Sequence, residues 1–201
     1  MSEPPPAIRL TDPRALRAYA HPTRMALVGL LRLHGPLTAT RAAELLGTES
    51  VASCSFHLRQ LAKYGLVEEA GGGRGREKPW RATAAFTSWD AAPADPERAA
   101  ATEALQRAVL DGYFARATSW LLHRGESSPE WREAASFGDS AVLVTAAELT
   151  ELEARVEELI RPYAERLGRP DPPPAGARAV QLIRLAVPTD PTDPTPEGEA
   201  P

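Results

Sequence analysis

Cysteine is almost missing from these 201 residues: Cys54 stands alone. One thiol makes no internal disulfide and no thiolate metal cluster within a chain, and a redox role for Cys54 would need a partner chain or a small thiol. Long apolar runs are missing too. No stretch approaches the roughly 18 residues a membrane-spanning helix needs, and the start MSEPPPAIRL lacks the charged opening and apolar core of a signal peptide. The expectation is a soluble, cytoplasmic chain with no membrane partner. There is no G-x-S-x-G, P-loop or dinucleotide fingerprint. The four histidines, His21, His34, His57 and His123, show no mutual ligand spacing and read as surface or core side chains. Neither catalysis, cofactor nor metal is expected, and no internal repeat of solenoid period is found.

What is present is an uneven charge. Residues 1–85 hold 12 Lys and Arg against 7 Asp and Glu, a balance of +5, whereas residues 86–201 hold 11 against 20, a balance of −9. The formal net charge of −4 therefore hides a basic half suited to a polyanion and an acidic half with another task. With 43% hydrophobic residues the chain can build one large core or two small ones.

Local signals divide the chain. Residues 1–10, with a Pro-Pro-Pro run, read as a disordered leader. A first helix starts at Thr11 or Asp12 with Pro13 at its first position, and His21-Pro22 ends it. A second runs from Pro22 to His34, with Met25, Leu27, Val28, Leu30, Leu31 and Leu33 making a broad apolar face. Thr38 caps a third helix, Gly47 supplies a turn, and Ser50 caps a fourth, Val51 to Lys63, ended at Tyr64-Gly65. Residues 66–69 and 77–82 read as two short strands around a glycine-rich tip, with Pro79 tolerated because both are edges. A winged helix domain over 11–88 is expected.

Residues 91 to about 97 read as a linker or helix start, and an amphipathic helix is expected from there to about residue 123. Residues 141–144 read as a strand, and Thr145-Ala-Ala-Glu148 has capping-box spacing for a helix to Leu167. Residues 179–187 read as a second strand, pairing with 141–144 across that helix. Residues 188–201 read as a disordered tail. The fold class expected is mainly α with small β elements: a winged helix-turn-helix domain plus a C-terminal α+β dimerisation or effector region over 96–187.

At about 100° per residue, the fourth helix puts Cys54, Leu58 and Leu61 on one face with Val51 and Ala62 close by. The opposite face carries Ser53, Phe56, Arg59, Gln60 and Lys63, with His57 and Ser55 on its flanks. Gln and Arg there can make bidentate hydrogen bonds to adenine and guanine edges in a major groove, and Phe56 can cover thymine methyl groups. The bland alternative tucks Phe56 against the hairpin or a neighbouring chain. Thr38 and Thr40 open the third helix with hydroxyls and free backbone N–H groups that suit a phosphate, or plain capping. Arg74, Arg76 and Lys78 crowd the glycine tip, either reaching a minor groove and phosphates or forming a solvated loop.

The segments HPTRMALVGLL, LTATRAAELLG, SCSFHLRQLAKYGLVEE and GGGRGREKPW make residues 12–83 resemble a winged helix-turn-helix domain of the ArsR type. The resemblance implies a homodimeric bacterial transcription regulator binding double-stranded DNA at a pseudo-palindromic operator. Many such regulators release DNA when a metal binds a cysteine pair in the helix before the turn. Here that segment is TATRAAELL, with neither Cys nor His, so a thiolate-bound metal is not the expected signal. Residues 97–187 are similar only in outline to C-terminal domains attached to such winged helices in actinobacterial regulators. A small-molecule or protein effector would act through this acidic half, where Tyr113, Phe114, Trp120, Trp131 and Phe137 either line an apolar pocket or pack as ordinary core. The alternative function is a winged-helix protein-interaction module docking a partner through Phe56.

Overall fold

Caps and prolines set the helix starts. In the computed structural model, which describes residues 7–72, 78–166 and 173–189, helix α1 (Pro13–Tyr19) is capped by Asp12, whose carboxylate accepts from the Arg14 N–H at 2.8 Å. Helix α2 (Pro22–His34) begins at its proline, directly after His21 in extended geometry. Helix α3 (Ala39–Leu46) is capped by Thr38 and α4 (Val51–Lys63) by Ser50, whose hydroxyl accepts from the Ser53 N–H at 3.1 Å. Between α3 and α4 the chain reverses at Gly47, whose φ of 68° is a left-handed conformation that glycine adopts without steric cost.

These helices share one core. Leu27, Val28 and Leu31 from α2 meet Cys54, Leu58 and Leu61 from α4, joined by Leu16 and Tyr19 of α1 and Ala42 and Ala43 of α3. The buried face of α2 is narrower than its sequence suggests, since Leu33 is exposed. Val51 departs from expectation as well, at 46% exposed. It lies on the stripe of Leu58 but about two turns nearer the helix start, beyond the edge of the core.

Strands β2 (Val67–Glu69) and β3 (Trp80–Ala82) pair antiparallel, Val67 opposite Ala82 and Glu69 opposite Trp80. Leu37 flanks β3 on its other side through two hydrogen bonds with Trp80, at 2.9 and 2.8 Å. Pro79 precedes β3, so its missing N–H interrupts no ladder bond, and its carbonyl accepts from Ala70.

The leader expected through residue 10 is corrected at its end. Ala7–Leu10 is strand β1, which pairs in parallel with β4 (Phe86–Trp89), Ala7 opposite Phe86 and Leu10 opposite Trp89. Leu10 is buried. Four residues carry too little periodicity to reveal a strand whose partner lies at the far end of the domain. The Arg32 guanidinium fixes that partner to α2, donating to the Ala84 carbonyl at 2.9 Å and to Thr87 Oγ1 at 2.6 Å.

Helix α5 (Pro96–His123) buries only its first turns, through Ala101, Thr102 and Leu105 against α1, with an Arg17–Glu97 ion pair at 2.9 Å beside them. After a 3-10 turn (Arg124–Glu126) come α6 (Pro129–Ala134) and α7 (Ala146–Ala164), the latter with the capping box of Thr145 and Glu148. The strands expected at 141–144 and 179–187 do not form, and among the described residues no strand follows Trp89. The C-terminal region is helical with extended segments rather than α+β. A short apolar run makes a strand only where a neighbouring edge supplies hydrogen bonds, and Leu143 stands fully exposed. Segment 179–187 is held instead by side chains: Arg184 pairs with Glu153 of α7 at 3.4 Å, and Arg116 of α5 donates to Gln181. Leu167, residues 1–6 and the tail from residue 190 lie outside the described residues. Among the described residues no helix is long and apolar enough to cross a membrane.

Two outcomes test this core. Leu58→Ala should lower unfolding free energy in urea by about 2–5 kcal/mol, and Val51→Ala by no more than about 0.5 kcal/mol. Cys54 is fully buried, and burial, with Glu49 nearby, pushes its thiol pKa up. A thiol reagent at neutral pH should therefore label it slowly in the native chain and fully in denaturant, and equal rates would refute the burial.

Candidate nucleic-acid interface

Three residues present α4 to solvent along one stripe: Phe56, Arg59 and Lys63, continuing the line from Ala52, with Ser55 and Gln60 half-buried at its edges. Phe56 is 50% exposed in the middle of it. Among the described residues its aromatic neighbour is His57, edge-on at 5.3 Å between centroids. Arg59 donates to Ser55 Oγ at 2.7 Å one helical turn earlier, which lays the guanidinium along the helix surface. Lys63 lies over the Tyr64 ring, its ammonium 5.7 Å from the centroid.

His57 does not belong to this stripe. It is 9% exposed, and its ring lies 4.6 Å from that of His21 at the start of α2. On a helix, residue 57 falls about 40° from residue 61 and about 60° from residue 54, both core positions, so it turns inward toward α2. Ser53 is also less available than its position suggests. Its hydroxyl donates to Glu49 Oε2 at 2.6 Å, while Thr23 Oγ1 donates to Glu49 Oε1 at 2.6 Å. Those two bonds, Ser53's first, hold the Glu49 carboxyl below the usual carboxylate range. Glu49 thus links the starts of α2 and α4, a role that sequence reading missed because Thr23 is 26 residues away.

On α3, Thr38 Oγ1 accepts from the Arg41 N–H at 3.2 Å, a plain cap, and Thr40 is half-buried and already engaged. Three neighbouring basic groups are ion-paired: Arg41 with Glu44 at 2.7 Å, Lys78 with Glu69 at 2.7 Å and Arg81 with Glu68 at 2.6 Å. Exposed pairs of this kind contribute only about 0–1 kcal/mol, so a phosphate can displace any of the three carboxylates. Arg41 and Arg81 join the basic groups named from sequence; Arg74 and Arg76 lie outside the described residues.

Of the aromatics in the acidic half, Tyr113 and Trp120 are half-buried. Phe114 and Phe137 are exposed, and Trp131 instead carries the Arg178 guanidinium over its ring at 5.3 Å. A cavity beside α7 is lined by Leu149, Thr150, Glu153, Arg184 and Ala186, none of them aromatic.

No curated protein matches the chain. Residues 19–70, which span α2, α3, α4 and β2, match the family model of a helix-turn-helix domain, and at that coarse level the chain is a DNA-binding transcription regulator.

Proposed function

We propose that the chain is a homodimeric, sequence-specific regulator of the ArsR type, lacking the cysteine metal-sensing motif and acting in the cytoplasm without catalytic activity. The observation that carries this reading is the exposed stripe Phe56–Arg59–Lys63 on the second helix of a helix-turn-helix. Its width suits a major groove. Arg59 and Gln60 read base edges, Phe56 covers thymine methyl groups, and the N-terminus of α3 together with the hairpin's basic groups holds phosphates.

Dimerisation is supported by apolar surface that a lone chain leaves in water. Beyond Leu105, α5 exposes Phe114, Leu121 and Leu122, and α7 exposes Leu159 and Tyr163. Such surface is characteristic of an interface. Two copies of α4 would then enter successive major grooves about 34 Å apart on a pseudo-palindromic site. An effector, small molecule or protein, would act through the acidic half. The half exposure of Phe56 also favours a second reading, a protein-docking module; salt-sensitive duplex binding by the full chain counts against it.

Selection of bound duplexes from a random pool should return a symmetric motif with half-sites one helical turn apart. On that motif, Arg59→Ala and Gln60→Ala should each lose about 1–3 kcal/mol of discrimination against mismatched sites. Arg74→Ala should weaken all sequences alike and reduce the salt slope by about 1. Unchanged selectivity in both α4 variants would refute the assignment of that face.

A further inference from the structure

The strongest unexplained feature is the histidine pair between α2 and α4. The His21 and His57 rings lie 4.6 Å apart and tilted by 39°, and each has a buried Nδ1 without a hydrogen-bond partner. We infer that this contact is a proton-operated latch: neutral rings hold helix α4 against α2, and protonation of either ring releases it.

The surroundings favour neutral rings on balance, with Glu49 the one group named that pulls the other way. An added proton on Nδ1 would place a charged N–H where no acceptor is in reach. His21 sits at the N-cap of α2, where the helix dipole disfavours a cation, and its side chain makes no capping bond that a proton would disturb. Arg24 of α2 adds a like charge beside both rings and is itself fixed by donating to the Ala18 carbonyl. Glu49, before α4, is the opposing charge, with both oxygens already accepting from Thr23 and Ser53. Tyr64, past the end of α4, acts on Arg24. Of the other charged groups on the elements packed against α4, Arg41 pairs with Glu44 on α3, Glu68 and Glu69 of β2 with Arg81 and Lys78, and Arg17 of α1 with Glu97, while Arg32 of α2 donates to Ala84 and Thr87, and Arg14 of α1 and His34 of α2 are exposed. The Cys54 thiol on α4 is buried and held neutral.

Burial first, then Arg24, holds both histidines below their ordinary value of 6.5, against a smaller opposing pull from Glu49. The sign follows. A group whose folded pKa is depressed binds its proton more readily in the opened or unfolded chain. The latch is therefore fully closed above about pH 6.5 and is lost as pH falls from there through the lower folded value.

Melting of the full chain, with hydrogen exchange of the α4 amides, tests the latch without DNA. Between about pH 7.5 and about pH 5.5 the melting temperature should fall by about 5 °C or more, and exchange in α4 should quicken. His21→Phe keeps a ring in place but cannot be protonated, and it should at least halve that fall; His57→Phe should do the same, and His34→Gln should leave it unchanged. A flat wild-type profile, or a His21→Phe variant with the wild-type slope, overturns the latch; His21 is only half-buried, so this variant carries the test even where His57→Phe fails to fold. A second arm rests on α4 being the recognition helix. At fixed salt, affinity for a selected duplex should drop at least threefold over the same range and be restored by His21→Phe, opposite to the tightening that added positive charge otherwise brings. Absence of duplex binding at every pH overturns the DNA reading alone, and the melts still decide the latch.

Discussion

The seating of α4 on α2 is the contact on which everything else depends. Leu58 and Leu61 are fully buried against Leu27, Val28 and Leu31, and each side chain of this size contributes about 1.5–3 kcal/mol on leaving water. That inward stripe is purely apolar apart from the His57 edge, and it fixes the rotation of the helix about its own axis. Once the rotation is fixed, Phe56, Arg59 and Lys63 have no choice but to face out. The outer face thus inherits its geometry from the core, and its own residues are free to vary with the surface they meet.

The same seating explains why the polar anchors lie on the first half of α4. Ser50 caps it, Glu49 ties Ser53 to Thr23 of α2, and His57 rests on His21. At its other end the helix is closed by backbone alone, with the Tyr64, Gly65 and Leu66 N–H groups donating to the carbonyls of Leu61 and Ala62. The first half of the helix is therefore held by polar side chains, and its last turn is closed by backbone groups. The acidic half shows the contrary case, in which α7 keeps its capping box yet finds no core to lie on.

Local chemistry made most helix boundaries legible. Asp12, Thr38, Ser50 and Thr145 each cap the helix that their sequence position announces. Features that depend on residues far apart were not legible. The parallel pairing of Ala7 with Phe86, the Arg32 bonds to Ala84 and Thr87, and the His21–His57 contact leave no periodic trace in either partner. For the site, the stripe of Phe56, Arg59 and Lys63 was readable from helical spacing, whereas the withdrawal of His57 and the commitment of Ser53 to Glu49 needed the packing of α2. In 141–144 and 179–187 a short apolar run suggests a strand that does not form, because a pattern of side chains does not supply a hydrogen-bonding edge.

The pairing of β1 with β4 has a consequence for the order of assembly. The residues that open the helical domain are completed by those that close it: Leu10 stands in register beside Trp89, and α1, which also meets α2 and α4, packs against the first turns of α5. On a ribosome, which delivers the chain N-terminus first, α1 and β1 must therefore wait, half-covered, while α2, α3 and α4 assemble beside them. The domain is sewn shut from its last elements back to its first.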